Sequence, residues 1–371
     1  MKSNLLVTVS ALLAASIVIV GCGQSSLAPT PTTKAAEPTN AAATAKVAEP
    51  TKAPAQTPTK AVEPTKAVGY PDKSKYATMI IPWPGTGGAS DVAARMMASG
   101  LEKELGIPFQ PVNKPGAASQ LGLTELAKAK PDGYTIGLTV LPPGINVYLD
   151  PERQATFDRK DFQPIANFVV DPLMISVKAD SPYKTLDDLV KTAKANPEKV
   201  KIGDAGILTT PHMITLELQR QTGAKFAIVH FDSDPAALAA LLGGHVDAIG
   251  TSPAPILAPS KSGQIRVLGV SDKMESPFFP GIKPFIDQGF NINLIASRGI
   301  AAPAGTPKEI VDILSKAAKK AMEADEFKKK ANDMAMGLRY MDPAEYEAHW
   351  ADLEKVCKPL VELSKAEAIK K

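Results

Sequence analysis

The stretch Ile81-Pro82-Trp83-Pro84-Gly85-Thr86-Gly87-Gly88-Ala89-Ser90-Asp91 decides how this chain folds, because it joins a short apolar run to an amphipathic one. The apolar run predicts a strand over 77–81, and the spacing that follows predicts a helix over 90–104. Its glycines let the backbone approach a ligand, and Ser90 or Asp91 can cap the helix. Free N–H groups at a helix start favour anions. The stretch is therefore either a structural turn or a site for a carboxylate or phosphate.

Two nucleotide-binding patterns do not fit this stretch. A Walker A loop would continue with Gly-Lys-Ser or Gly-Lys-Thr, which is missing, and a dinucleotide fingerprint would have a third glycine where Ser90 stands.

The same alternation of apolar runs and amphipathic stretches continues on both sides. Further strands are predicted over 109–112, 134–140, 200–203, 226–230, 248–250 and 266–270, and further helices over 121–129, 186–195, 211–221, 235–242 and 256–261. Alternation of this kind predicts an α/β protein with mainly parallel sheets. The C-terminal part is predicted to be helical over 307–324, 326–334 and 343–366, with Thr306 and Asp342 as caps and Pro307 and Pro343 at the first helical position.

The composition excludes some classes of protein. The chain has 371 residues, and residues 67–371 carry 36 Lys and Arg against 36 Asp and Glu, so the body is formally neutral. A nucleic-acid binder needs a surplus of cations, so no nucleic-acid partner is expected. About 300 residues follow Gly69, enough for one large domain or two ordinary ones.

Residues 1–22 are typical of an export signal. Lys2 precedes an apolar run over 5–20, which is short for the ~20 residues that a bilayer span requires. Ile19-Val20-Gly21-Cys22 resembles the lipobox of bacterial lipoproteins, which implies cleavage before Cys22 and acylation of its sulfur. The alternative is an uncleaved signal anchor. We expect an extracytoplasmic protein that is lipid-anchored to the cell membrane.

Residues 23–70 are predicted to form a disordered tether. They are rich in Pro, Thr, Ala and Lys and contain an imperfect repeat around three Glu-Pro-Thr triplets, so they cannot bury enough apolar surface to offset chain entropy. The segment is a spacer or an interaction tail.

The two cysteines, Cys22 and Cys357, provide no disulfide framework. Cys357 falls in a helical apolar pattern and is predicted to be a packed thiol.

Seven further short motifs accompany the opening stretch, in this order: Val112-Asn113-Lys114-Pro115-Gly116-Ala117, Pro131-Asp132-Gly133-Tyr134-Thr135, Asp161-Phe162-Gln163-Pro164-Ile165, Ala193-Lys194-Ala195-Asn196-Pro197, Pro211-His212, Leu242-Gly243-Gly244-His245-Val246-Asp247 and Ala302-Pro303-Ala304-Gly305-Thr306-Pro307. With residues 81–95, they resemble the substrate-binding proteins of tripartite tricarboxylate transporters, the Bug family, from about Met79 to the C-terminus.

This resemblance implies an α/β, two-lobed type II periplasmic-binding-protein fold with a helical C-terminus, which closes on a small carboxylate and delivers it to membrane permease subunits. The lobes are expected at 71–177 plus 292–371 and at 178–291, with crossings near Ser176-Val177 and 291–295. We expect a monomer.

In the family, two strand-to-helix loops hold the ligand from opposite sides of the cleft. Carried over to this chain, the ligand-binding residues are Trp83, Thr86, Gly87, Gly88, Ser90 and Asp91 from the first lobe, and Asp204, Gly206, Thr209, Thr210 and His212 from the second. Asp91 is expected to organise its loop, because a carboxylate would repel a carboxylate ligand. His212 either bonds loop backbone or contacts ligand, and Trp83 lines either the cleft or the core.

The second loop departs from the family. Asp204-Ala205-Gly206-Ile207-Leu208-Thr209 replaces a Ser-x-Gly-x-Gly-Ser pattern, and residues 229–233 lack the usual Val-Pro-Tyr-x-Gly. Added apolar residues and a nearby acid favour an aromatic or branched carboxylate, or a ligand with an amino group, over citrate.

No enzyme chemistry is expected, because the chain shows no nucleophile with a base and no paired metal ligands. The four His, at 212, 230, 245 and 349, lack metal spacing along the chain, so no metal and no cofactor are expected. The remaining alternative is a ligand sensor that docks on a receptor kinase.

Overall fold

The computed structural model describes residues 69–85 and 87–368. The expectations for the export signal with Cys22, for residues 23–68 of the tether and for Thr86 lie outside the described residues. None of the helices in the described part has both the length and the apolar composition needed to cross a bilayer.

The described residues form strands and helices in alternation. The strands are β1 Ala77–Ile81, β2 Phe109–Asn113, β3 Thr135–Leu141, β4 Phe162–Pro172, β5 Met174–Lys178, β6 Lys201–Asp204, β7 Ala227–His230, β8 Ala248–Thr251, β9 Ile265–Val270, β10 Ile295–Pro303 and β11 Leu338–Met341. The α-helices are α1 Ala89–Leu105, α2 Gln120–Ala127, α3 Pro143–Leu149, α4 Leu186–Ala195, α5 Thr210–Thr222, α6 Asp234–Leu242, α7 Pro253–Lys261, α8 Lys308–Glu323, α9 Asp325–Asp333 and α10 Pro343–Ala368. Every strand and helix predicted from the sequence is present, with ends that shift by up to three residues.

The strands form two sheets, in the orders β11-β4-β10-β3-β1-β2 and β7-β6-β8-β5-β9. Each sheet with its helices makes one lobe of an α/β protein, as expected. The prediction of mainly parallel sheets is wrong: β1 pairs in parallel with β2 and β3, and β6 with β7 and β8, but the pairings of β4, β5 and β10 are antiparallel. The sequence analysis missed β4, β5 and β10, which adjoin the crossings between the sheets and run antiparallel to their neighbours.

The two C-terminal helix starts differ in how well they were predicted. Asp342 caps α10, because its carboxylate accepts the N–H groups of Ala344 and Glu345, while the Glu345 carboxylate accepts the N–H of Asp342. Thr306 does not cap α8: its hydroxyl donates to the Pro303 carbonyl, and Pro307 is the residue that precedes the helix. Such one-residue shifts are common at helix ends.

The chain crosses between the sheets at two places that Ser271 joins. The first crossing is Leu173, between β4 and β5, whose N–H donates to Ser271 Oγ at 2.8 Å. Ser271 Oγ in turn donates to the carbonyl of Leu294 at 2.7 Å, directly before β10. Ser271 is fully buried. The expected crossing near Ser176-Val177 falls inside β5, which already pairs in the second sheet.

Helix α10 packs against both lobes. It contacts β4 and α3 of the first lobe and α5 of the second. Trp350 is stacked on Phe162 with ring centroids 5.6 Å apart, and its Nε1 donates to the Tyr148 hydroxyl at 3.1 Å. The prediction for Cys357 is confirmed, because its thiol is buried in this core and burial raises its pKa. One apolar cluster thus extends across the base of the two lobes.

We predict that Ser271→Ala destabilises the protein by about 1–3 kcal/mol, because it leaves a buried N–H of Leu173 and a buried carbonyl of Leu294 without a partner. Urea unfolding measures the loss. The control is Ser262→Ala at an exposed helix end, where we expect a change within about 0.5 kcal/mol. Equal effects of the two variants would contradict this role of Ser271.

His349, in α10, gives a pH-dependent contribution to stability. Its Nε2 lies 3.2 Å from Ser297 Oγ, and burial, aided by the charge of Arg339, lowers its pKa from 6.5 to about 4. Between these two values the unfolded chain binds a proton and the folded chain does not. Stability therefore falls as pH falls through this window, by at most about 1.4 kcal/mol per pH unit. We predict a flatter pH dependence for His349→Gln in urea unfolding between pH 7 and 4, and parallel curves would contradict it.

Candidate functional site

The candidate site lies where the parallel strands of the two sheets end. β1 leads into α1, β6 into α5, β7 into α6 and β8 into α7. In open α/β sheets, ligands bind in the crevice outside the carboxyl ends of such strands. Loops from both lobes therefore border one crevice.

Asp91 organises the loop between β1 and α1. Its Oδ1 accepts hydrogen bonds from Arg95 Nε at 3.0 Å and from Asn113 Nδ2 at 2.9 Å, and the carboxylate also accepts the N–H of Gly87. Asn113 Nδ2 reaches the Trp83 carbonyl at 3.0 Å as well. The bond from Arg95 is the main reason that the pKa of Asp91 lies below its ordinary value, although burial opposes it. Asp91 is therefore ionised and engaged within its own lobe, as expected for a loop organiser.

Two glycines of this loop are needed for its conformation. A Cβ at Gly85 would lie 2.8 Å from Asn113 Oδ1, so any side chain there would displace the bridging amide. Gly87 has φ of 74°, in the left-handed region that side chains disfavour. Both Gly87 and Gly88 are exposed, which leaves this backbone open to the crevice.

The start of α1 has the properties of an anion site. Gly88 precedes the helix, and no side chain caps its first N–H groups. Ser90 Oγ lies 3.3 Å from Arg298 Nε, which donates to it. Arg298 is 9% exposed and forms an ion pair with the buried Asp171. Helix N–H groups, a hydroxyl and a buried guanidinium thus meet at one place.

The loop between β6 and α5 is built around Asp204. Its Oδ1 accepts the N–H of Gly206 at 2.9 Å and lies 2.7 Å from His230 Nδ1. Thr209 precedes α5 but does not cap it through its side chain, because its hydroxyl donates to the Gly206 carbonyl at 2.7 Å. Thr210 is the buried first residue of the helix. The N-terminus of α5 therefore also lacks a side-chain cap.

Of the two roles considered for His212, a bond to loop backbone and contact with ligand, the structure shows the first. Its Nδ1 accepts the N–H of Leu208 at 3.0 Å, so the ring bonds loop backbone. Contact of His212 with ligand stays a prediction.

His212 also belongs to a cluster that the sequence did not reveal. One ligand atom from each of Asp204, His212 and His230 lies within 4.8 Å of the others. A neutral imidazole has one lone pair, and the Leu208 N–H occupies the one on His212 Nδ1, which places the proton on Nε2. A metal would need that proton removed and the loop bond broken. The cluster therefore fits a hydrogen-bonded Asp–His pair better than a metal centre.

The two lobes meet across the crevice. Asn146 Nδ2, in α3, donates to the Leu208 carbonyl in the second-lobe loop at 2.8 Å. Asp234, at the start of α6, is influenced by both lobes: burial raises its pKa, the charge of Asp204 raises it further, and Arg298 of the first lobe opposes both. Asp234 therefore lies within electrostatic reach of Asp204 in its own lobe and of Arg298 in the other.

The structure brings most of the predicted residues to this crevice. Gly87, Gly88, Ser90 and Asp91 come from one lobe, and Asp204, Gly206, Thr209, Thr210 and His212 come from the other. Trp83 is partly buried and packs against the core of the first lobe. A separate groove of about 250 Å³ between α1, α8 and α9 contains none of these residues.

Sequence reasoning missed Arg298, Asp171 and Asp234. The sequence does contain a signal for Arg298 and Asp171. Each is the single charged residue of a buried apolar strand, Arg298 in β10 and Asp171 in β4, and a buried charge requires a partner. Asp234 resembles an ordinary acid at a helix start, so only the fold reveals its position.

We predict that Asn113→Ala loosens the loop between β1 and α1, because Asn113 bridges Asp91, Trp83 and Arg95. Backbone hydrogen exchange at Gly87 and Gly88 should become faster, with a loss of about 1–3 kcal/mol in unfolding free energy. The control is Asn332→Ala, at an exposed position in α9, which should change neither the hydrogen exchange at Gly87 and Gly88 nor the unfolding free energy. Unchanged exchange at Gly87 would contradict the bridging role.

Comparison with known proteins agrees with this geometry. The family model described as "Tripartite tricarboxylate transporter family receptor" (TctC) matches residues 93–365. A protein of Cupriavidus necator, described as "UPF0065 protein in gbd 5'region", is 33% identical over 279 residues, which cover 74% of this chain and 84% of that protein. Protein BugT of Bordetella pertussis is 30% identical over 266 residues, covering 70% and 80% respectively.

Solved structures agree on the fold. A TctC solute-binding protein from Polaromonas, determined without ligand, superposes with a TM-score of 0.72 at 29% identity and covers 79% of this chain and 99% of that one. MatC of Rhodopseudomonas palustris with bound malate has a TM-score of 0.63 at 22% identity, covering 77% and 98%, and so resembles this chain in fold. The family match spans most of the chain and includes the crevice loop between β6 and α5, while the loop between β1 and α1 lies just before its first residue. The chain therefore belongs to the tripartite tricarboxylate transporter receptor family, TctC, whose members are extracytoplasmic solute-binding proteins.

Proposed function

We propose that this protein captures a small carboxylate between its lobes and delivers it to the membrane permease subunits of a tripartite tricarboxylate-type transporter. One observation carries the proposal: the N-terminus of α1, which no side chain caps, opens on the crevice beside Ser90 and the buried Arg298. An uncapped helix start with a nearby guanidinium favours a carboxylate.

The proposed ligand contacts come from both lobes. In the first they are the exposed backbone of Gly87 and Gly88 and the Ser90 hydroxyl, with Trp83 and Thr86 as further candidates. In the second they are Gly206, Thr209, Thr210 and His212 around the start of α5, with Asp204 beneath them. Asp91 acts indirectly, by holding the first loop.

The lobes are proposed to close on the ligand by bending at the two crossings. The sequence placed lobe 1 at residues 71–177 plus 292–371 and lobe 2 at 178–291; we move the first boundary to Leu173, where the sheet pairing changes, and keep the second. Bending at a few residues that connect two rigid bodies is the usual way in which such proteins close.

The carboxylate ligand is proposed from this site and from the family. MatC, which shares the fold, holds malate. The sequence leaves citrate-like, aromatic and amino-acid carboxylates as candidates for this chain.

We further propose that the chain acts at the membrane surface, anchored by a lipid on Cys22, with residues 23–70 as the tether. The lipobox pattern and the composition of the tether support this part of the proposal. Cys22→Ser should release the exported protein from the membrane fraction, and retention of that variant would contradict the lipid anchor.

The experiment that tests the binding function is titration calorimetry of the full chain with malate, citrate, benzoate and aspartate, together with mass spectrometry of molecules that co-purify. We expect at least one carboxylate to bind, and Ser90→Ala to weaken it by about tenfold through loss of one hydrogen bond to a charged group. The matched control is Ser99→Ala, which is exposed on the same helix. A co-purifying ligand without a carboxylate, or equal affinities of Ser90→Ala and the wild type, would overturn the proposed site.

A further inference from the structure

Asp204 has one carboxylate oxygen that the protein does not satisfy. The residue is fully buried at the end of β6, and its Oδ1 takes the bonds from Gly206 and His230. Its Oδ2 is inaccessible, and within residues 69–85 and 87–368 no group hydrogen-bonds to it. A buried carboxylate oxygen without a donor is costly, so a donor that enters the crevice would recover that cost.

Asp234 repeats this arrangement from the neighbouring strand end. Its Oδ2 accepts the N–H of Ser252 at 3.1 Å and the Ser252 hydroxyl. Its Oδ1 is inaccessible and has no partner in the described part of the chain. Burial raises the pKa of Asp234, the charge of Asp204 raises it further, and the charge of Arg298 lowers it, so Asp234 lies within electrostatic reach of both residues. Two acids near neighbouring strand ends of the second lobe therefore each have one buried oxygen without a partner.

The charges of the two crevice walls differ. In the first lobe, Asp91 is paired with Arg95 and Asp171 with Arg298, so each pair is formally neutral. In the second lobe, Asp204 is paired with His230, and Asp234 accepts its hydrogen bonds from Ser252. A ligand with two carboxylates would place one of them against this acidic wall, at a cost.

We propose that the ligand is an amino-carboxylate whose carboxylate lies at the start of α1 and whose protonated amino group is held by Asp204 and Asp234. An ammonium has three donors and no acceptor, which suits two acids that each lack a donor. It also places positive charge on the acidic wall and negative charge on the helix start, so the ligand is complementary to both lobes. The inference rests on the proposed carboxylate-binding function and narrows its substrate class.

A bound divalent cation is the other way to satisfy these acids. The hydrogen bond from Leu208 to His212 opposes it, because His212 then presents an N–H rather than a lone pair. Addition of zinc or of a chelator in the same experiment distinguishes a bound cation from the amino group of a ligand.

The test is calorimetry of the full chain with matched pairs of ligands in which an amino group replaces a hydroxyl or a second carboxylate: aspartate against malate, leucine against 2-hydroxy-4-methylpentanoate, and 6-aminohexanoate against adipate. We expect the amino member of at least one pair to bind about tenfold or more tightly than its partner. Asp204→Asn and Asp234→Asn should remove this preference, because each should weaken binding of the amino member more than binding of its partner. Asp232→Asn, exposed in the loop before α6, is the control and should keep the preference.

Three results would overturn the inference. If carboxylates bind but in every pair the partner binds as tightly as the amino member, the proposed carboxylate-binding function stands and the amino subsite falls. If zinc raises the melting temperature and a chelator reverses the effect in the wild type but not in Asp204→Asn, the acids hold a metal instead. If no carboxylate binds and a different class of solute co-purifies, both the inference and the proposed function fail.

Discussion

The two crossings between the sheets, joined at Ser271, constrain the rest of the structure. Leu173 and the residues before β10 pass from one lobe to the other side by side, because a single buried hydroxyl bonds to both. This juxtaposition directs the carboxyl ends of β1 and β3 in one lobe toward those of β6, β7 and β8 in the other. Helix α10 packs against both lobes and so connects them a third time.

The crevice that results has walls with different electrostatics. The first lobe compensates its buried charges internally, through Asp91 with Arg95 and Asp171 with Arg298, and so offers helix N–H groups and a hydroxyl without net charge. The second lobe keeps two acids that are only partly satisfied. Buried polar groups that a folded chain leaves unpaired are found mainly where a ligand or another partner completes them. The asymmetry between the walls is therefore the property most directly related to the choice of ligand.

Local pattern predicted the amphipathic helices well and failed on two long, enclosed strands. α4 and α8 have one apolar face and strong periodicity, and both were predicted within two residues of their bounds. β4 and β10 are buried along their whole length, so their apolar runs do not alternate and give no period to detect. The same two strands carry Asp171 and Arg298, and for this reason the ion pair behind Ser90 was missed together with them.

The sequence by itself determined the α/β alternation, the two strand-to-helix loops with their glycines, and the family to which the chain belongs, because these depend on residues close together along the chain. Tertiary structure alone decided that Asp204, His212 and His230 form one cluster, that Arg298 lies beside Ser90, 208 residues away along the chain, and that Asp234 is within electrostatic reach of Arg298 in the other lobe. Contacts of this kind depend on how the chain crosses twice between the sheets, and no short-range pattern of residues encodes that path.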